Sequence, residues 1–160
     1  MTPITYLIGD ATQPHGTGPK IIAHCCNDAG AWGAGFVLAI SGRWPQPEKE
    51  YREWKKRQRG PLPLGDVQFV DVGGQITVAN IIGQKSTGYM NGQPPIRYLS
   101  LCTGLSSVGD RALQAGASVH MPRIGCGLAG GNWDIVQRII MDTLSHRGVP
   151  VFVYDLKEAA

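Results

Sequence analysis

The sequence predicts an α/β fold with a mixed central sheet covered by helices on both faces. Two observations predict it. Short apolar runs bounded by turn residues alternate with segments of helical period, the signature of strand–helix–strand crossovers. One pair of runs, separated by Gly73-Gly74, reads instead as a hairpin, which makes the sheet mixed. A third observation bears on function. Glycine accounts for 22 of 160 residues and gathers directly after apolar runs, where backbone turns sharply or approaches a ligand.

The first strand is residues 4–8, closed by Gly9-Asp10. A loop rich in Pro, Gly and Thr (12–18) leads to an apolar run at 20–26, too short for a helix and therefore a buried strand. Residues 33–41 read as helical. So do 47–59, where Pro47 takes a first helical position, acids open the first turn and bases close the last, as the helix dipole favours. Residues 67–72 and 75–82 form the hairpin, and Pro94-Pro95 ends the next loop. A helix at 98–114 follows despite Gly104 and Gly109, then a strand at 119–124 and the glycine-rich segment 125–131. Asn132 is a good N-cap for a helix reaching about His146, with Ile135, Ile139 and Ile140 on one face. Gly148 and Pro150 break to a last strand at 151–154. No repeat or linker interrupts the series, so residues 1–160 read as one domain.

Net charge is +3, from 15 Lys+Arg against 12 Asp+Glu, too mild to argue for nucleic acid by itself. The dense basic stretch Arg52, Lys55, Lys56, Arg57 and Arg59 reads first as a solvated helix face and second as a contact for an anionic polymer. The four cysteines contain no C-x-x-C pair, and adjacent Cys25 and Cys26 make a poor disulfide framework. The amino terminus lacks the charged and apolar regions of a secretory signal. No apolar run approaches the roughly 20 residues that span a bilayer. A reduced, cytoplasmic protein without membrane contact is expected.

In open α/β sheets ligands bind beyond the carboxyl ends of strands. Three segments leave a strand at such an end: Gly9-Asp10-Ala11, Asn27-Asp28-Ala29-Gly30-Ala31-Trp32-Gly33-Ala34-Gly35, and Gly125-Cys126-Gly127-Leu128-Ala129-Gly130-Gly131. The two longer ones run into a helix amino terminus, whose free N–H groups and positive dipole end suit a phosphate. Two such loops suit the two phosphates of a pyrophosphate. The spacing Gly125-x-Gly127-x-x-Gly130 formally matches a dinucleotide fingerprint with Asp155 as its acid, but too little chain follows for the strands that fold requires. Asp10 is either a turn acid or an acceptor for an adenine amine. Asn27 and Asp28 are turn formers or, for Asn27, a partner of a ribose hydroxyl. Trp32 is either core or a wall against a sugar. His24, flanked by apolar residues, reads first as a hydrogen-bonded core histidine. A zinc site at His24, Cys25, Cys26 and Cys126 is disfavoured, because neighbours on a strand point to opposite faces; no metal is expected. Cys126 would serve as a nucleophile only with a depressed pKa.

The segment His24-Cys25-Cys26-Asn27-Asp28, the loop Gly30-Ala31-Trp32-Gly33-Ala34-Gly35-Phe36 and the stretch Met121-Pro122-Arg123-Ile124-Gly125-Cys126-Gly127-Leu128-Ala129-Gly130-Gly131 resemble the macrodomain superfamily. Within it they are similar to the branch of the terminal ADP-ribose protein glycohydrolase, the yeast ADP-ribose 1″-phosphate phosphatase and related small bacterial macrodomains. The similarity runs over residues 4–156. It implies a three-layer α/β/α fold with ADP-ribose in a cleft across the strand ends. Asp10 would meet the adenine amino group, with Gly9 and Ala11 beside it. Residues 30–36 and 124–130 would clasp the diphosphate and distal ribose, with Asn27 near that ribose. Where the glycohydrolase carries a nucleophilic lysine this chain has Gln84, with Lys85 next door; where it carries an aspartate this chain has Ala129. The phosphatase resembles the chain at His24. Asn27, His24, Asp28 and Lys85 are thus the catalytic candidates. The resemblance implies a hydrolase of adducts at the distal ribose (a protein mono-ADP-ribosyl ester, O-acetyl-ADP-ribose or ADP-ribose 1″-phosphate) or a non-catalytic ADP-ribose reader. No cofactor is implied. The expected partner is ADP-ribose or an ADP-ribosylated macromolecule, with nucleic acid only as an ADP-ribosylated substrate.

Overall fold

The computed structural model describes residues 2–156. Six strands form where apolar and β-branched residues run between turn signals: β1 (Ile4–Ile8), β2 (Lys20–Asn27), β3 (Val67–Gly73), β4 (Ile76–Gln84), β5 (Ser118–Met121) and β6 (Val151–Asp155). They make one sheet in the order β1-β6-β5-β2-β4-β3. Every neighbouring pair is parallel except β3 with β4. At that hairpin Gly73, Gly74 and Gln75 all have positive φ (87°, 61° and 63°), which is the demand the glycine pair answers.

Four helices cover the two faces: α1 (Phe36–Arg43), α2 (Gln46–Arg57), α3 (Tyr98–Ala115) and α4 (Trp133–Thr143). The period of two along β2 divides the core. Ile21 and Ala23 join Leu101 and Leu105 of α3 and Val136 and Ile140 of α4 on one face. Ile22 and Cys26 join Ile40 of α1 and Tyr51 of α2 on the other. The result is three layers, α/β/α. The two glycines inside α3 serve packing: a Cβ at Gly104 would meet Ile81 Cγ2, and one at Gly109 would lie 2.7 Å from the Thr143 carbonyl. They let α3 settle against β4 and α4.

Several boundaries differ from expectation, each for a local reason. The helix expected at 33–41 begins only at Phe36, because Gly35 sits at φ 84° and breaks the helical run. The helix expected to reach residue 59 ends at Arg57. The strand expected at 119–124 ends at Met121, just before Pro122, which has no N–H to give the ladder. The last helix stops at Thr143 and a single 3-10 turn, Ser145–Arg147, replaces its expected final turn. Its inward face is Val136, Ile140 and Thr143, with Ile139 packed against the same core; of the three isoleucines expected there only Ile135 turns outward, 45% exposed. No helix among the described residues is long and apolar enough to cross a membrane.

Candidate functional site

A cavity of 860 Å³ opens where β2, β4 and β6 end and the chain leaves β5. The strand ends contribute His24, Cys25, Cys26, Asn27, Gln84, Tyr154 and Asp155 to its lining. The loop after β2 contributes Ala31 and Gly33 to Gly35, and the start of α1 adds Phe36 and Val37. The loop after β5 contributes Pro122 to Ala129.

The first loop is held by side chains. The register shifts between Cys26 and Asn27, so β2 ends in an irregularity. Asn27 Oδ1 accepts from the N–H groups of Ala29 and Ala31, both at 3.0 Å, and its Nδ2 donates to the Ala31 carbonyl at 2.8 Å. One carboxamide thus folds the next four residues back on themselves. Asp28 is buried, and its carboxylate accepts from the Ser86 N–H at 2.8 Å; it does not line the cavity. Trp32 is not a wall of the cavity. It is 3% exposed, donates from Nε1 to Ser41 Oγ at 2.7 Å, and packs 5.4 Å from both His24 and Tyr51. Its size makes burial the larger gain. Beyond it, the N–H groups of Gly33, Ala34 and Gly35 have no partner among the described residues, and no side chain caps α1. Gly33, Ala34 and Gly35 line the cavity, so these unpaired donors stand in its wall.

The second loop is held by backbone. Gly125 and Gly130 stand at φ 73° and 75°. The Cys126 N–H donates to the Arg123 carbonyl, Gly130 to Gly127, and Gly131 to Gly125 at 2.8 Å. The N–H groups of Gly127, Leu128 and Ala129 are left without a partner among the described residues. The helix after this loop does not open on the cavity, contrary to expectation: Asn132, Trp133 and Asp134 lie outside its lining, and the first turn of α4 is capped by Asn132, which accepts from the Asp134 N–H at 2.9 Å. The second loop therefore offers backbone donors alone. The two loops meet across the mouth, where a Cβ on Gly35 would lie 3.3 Å from Leu128 Cδ1.

The charged lining is a single pair. Arg123 grips Asp155 with two hydrogen bonds of 2.8 Å and lies over the rings of Tyr6 and Trp133 at 4.9 and 4.7 Å. The guanidinium holds the Asp155 carboxyl below its ordinary range. Lys85 is exposed and outside the lining. A phosphate in this cavity would therefore meet oriented N–H groups rather than an ammonium. Burial holds the His24 imidazole down at about 4, so it is neutral at physiological pH. Asn80 spends its Nδ2 on Gln68 Oε1 and the Pro47 carbonyl, which turns its Oδ1 toward His24 Nε2 at 2.5 Å and makes that nitrogen the donor. Burial pushes the Cys25 thiol up to about 12 and Cys126 up to about 11. The depressed pKa that a nucleophilic Cys126 would need is thus contradicted. Among the described residues no three His, Cys, Asp or Glu side chains cluster as a metal site requires.

Gly9, Asp10 and Ala11 lie outside the lining, as do Gly30 and Gly130. Asp10 is a turn acid here: its Oδ1 accepts from the Thr12 N–H and hydroxyl at 2.8 and 2.7 Å, with Arg43 at 3.7 Å. It neighbours the cavity through the Gly9 N–H, which donates to the Asp155 carbonyl at 2.8 Å. Sequence reasoning missed Val37, Thr87, Pro122, Arg123 and Tyr154 as lining residues. The strand-end rule that points to Asn27 points equally to Tyr154 beside Asp155 at the end of β6.

The family model described as Macro domain matches residues 23–140. A macrodomain protein of Streptomyces coelicolor is 52% identical and superposes with a TM-score of 0.84, over 96% of this chain and 99% of that one. Mouse chromodomain-helicase-DNA-binding protein 1-like is 34% identical over 96% of this chain. The chain spans only 18% of that relative's length. The ADP-ribose 1″-phosphate phosphatase of Lodderomyces elongisporus is 25% identical, over 95% of this chain and 99% of the phosphatase.

Proposed function

The chain belongs to the Macro domain family, and from that premise we propose that its cavity binds ADP-ribose and that the protein hydrolyses adducts at the distal ribose. One observation carries the ligand reading. Two loops present unpaired N–H groups, Gly33 to Gly35 on one side and Gly127 to Ala129 on the other, to a cavity with no lysine in its lining. That arrangement suits a diphosphate, whose charge is met by oriented dipoles. The volume of 860 Å³ falls in the range of small-molecule sites. Adenine would lie toward Asp155, Leu156 and the neighbouring Asp10, and the distal ribose toward Asn27, Gln84 and Thr87.

The chemistry follows from what stands at the distal end. Gln84 lines the cavity while Lys85 is exposed and absent from its lining, which supports attack by water over a covalent lysine intermediate. The oxygen of water bonds to the electrophilic carbon or phosphorus atom, the bond from that atom to the bridging oxygen breaks, and the protons of water pass to the departing oxygen and to solvent, so that ADP-ribose leaves with a carboxylate, acetate or phosphate. Positioning by the loops and stabilisation of developing charge by their N–H groups would supply the acceleration. No cofactor enters this scheme. The four free cysteines support a reducing, cytoplasmic setting.

A second reading, a reader that binds ADP-ribose and turns nothing over, is favoured by the same substitutions. Gln84 and Ala129 stand where the glycohydrolase has its lysine and aspartate, His24 is neutral and committed to Asn80, and Asp28 is spent on Ser86. Incubation with a glutamate-linked mono-ADP-ribosylated protein separates the two: released ADP-ribose is expected, and binding without release would select the reader.

A further inference from the structure

Asn27, with His24, is a polar side chain that β2 delivers to the cavity, and it is nine-tenths buried. Its amide orientation is fixed by its partners. Oδ1 accepts from two backbone N–H groups and Nδ2 donates to a carbonyl, so a flipped amide would set N–H against N–H at Ala29 and Ala31 and oxygen against oxygen at the Ala31 carbonyl. That leaves one Nδ2 hydrogen for the cavity. A third group holds the same residue. Tyr51 of α2, 24 residues away in sequence and fully buried, places its hydroxyl 2.5 Å from the Asn27 carbonyl and 3.0 Å from Asn27 Oδ1. Burial pushes its phenol well above the ordinary value, so it stays a protonated donor. The ring is wedged against Trp32, which closes the first loop from below. The stem of Lys55, one turn further along α2, packs on Gly30: a Cβ there would clash with its side chain.

We infer that Tyr51 is a positioning residue for the ligand site. Its one hydroxyl proton, given to the Asn27 carbonyl and shared with Asn27 Oδ1, ties the backbone of that residue to its side chain, so that the remaining Nδ2 hydrogen is held for the distal end of whatever occupies the cavity. The inference rests on the ADP-ribose reading for its ligand and on the hydrogen bonds alone for its geometry. A buried polar group that loses one partner costs on the order of a tenfold change in an equilibrium. Here that change would fall on the order of the loop.

Two measurements test it. In the ligand-free wild type, the Tyr51 hydroxyl proton is expected to exchange slowly and to show cross-relaxation with the Asn27 side-chain amide protons. Tyr51→Phe, which removes one oxygen, should shift those amide resonances and speed their exchange. Calorimetric titration with ADP-ribose then compares wild type, Tyr51→Phe, Asn27→Ala and the double variant. Tyr51→Phe should weaken binding about tenfold, and the double variant should bind no more weakly than Asn27→Ala, because one residue acts through the other. Resonances of Asn27 that ignore Tyr51→Phe, or losses that multiply in the double variant, overturn the inference. If wild type fails to bind ADP-ribose, the ligand reading falls, while the resonances still decide whether Tyr51 positions Asn27.

Discussion

The two glycine loops reach one cavity by different means. The loop after β2 is organised by side chains, Asn27 from within and Tyr51 from α2, and its glycines at 33 and 35 chiefly leave N–H groups open. The loop after β5 is organised by its own backbone, with Gly125 and Gly130 in the left-handed region and three short-range bonds closing it. The contrast shows that similar sequence motifs can have unlike dependencies. Gly33 in the first loop and Gly127 in the second are replaceable as far as the fold is concerned, whereas Gly30 and Gly35, like Gly125 and Gly130, hold left-handed backbone that glycine favours.

The sharpest way to test the contrast is to add a side chain where each loop has room. A Cβ at Gly33 or at Gly127 meets nothing within 4 Å, and neither residue has positive φ. Gly33→Glu and Gly127→Glu should therefore keep the melting temperature and abolish ADP-ribose binding, by at least about a hundredfold, since a carboxylate would stand in the diphosphate's place. Retained binding in both would show that the loops do not hold the phosphates. Next in size is Gly125→Val. With φ at 73° and Ile96 Cδ1 2.6 Å from a new Cβ, it should cost about 2–4 kcal/mol in denaturant unfolding. A loss below about 0.5 kcal/mol would show that backbone geometry does not anchor the second loop.

Acid should also separate the regions. His24 lies against Trp32 and Phe36 beside the first loop, and His120 is buried at the base of Tyr154. Burial holds both imidazoles at about 4, against 6.5 unfolded. The folded chain thus binds these protons less readily than the unfolded chain. Their contribution, on the order of 3 kcal/mol each, is complete above pH 6.5 and lost as pH falls toward 4. Melting temperature should fall across that window, and amide exchange at residues 27–35 should quicken before that at 125–131. Simultaneous loosening would place the acid-sensitive contact elsewhere. The smallest expected effect is Asn132→Ala, which removes the α4 cap for about 1 kcal/mol of stability and should leave ADP-ribose affinity unchanged, because α4 does not open on the cavity.

What could be read from the sequence follows the same divide. The fold class, all six strands and the Asn132 cap came from period, length and turn chemistry, which are local properties. The second loop was legible because its glycines are themselves the mechanism. The first loop was legible only as a stretch of glycine. Its organiser lies partly on α2, and nothing in the spacing of Asn27 and Tyr51 announces that the phenol reaches the Asn27 carbonyl and carboxamide. Trp32 was ambiguous for a related reason, since its burial depends on Tyr51 and Ser41 arriving from elsewhere. Arg123 and Asp155 pair 32 residues apart, a contact fixed by the adjacency of the segment after β5 and the end of β6 rather than by either segment alone. Boundary errors at Gly35 and Pro122 arose where a single backbone constraint outweighed the apolar pattern around it.

The central claim is that two sets of unpaired N–H groups clasp the diphosphate of ADP-ribose. Calorimetric titration of ADP-ribose into the wild type and into Gly127→Glu tests it most directly. Saturable single-site binding by the wild type, lost in the variant at unchanged melting temperature, is the predicted result; a wild type that takes up no ADP-ribose, or a variant that binds it equally well, would contradict the account.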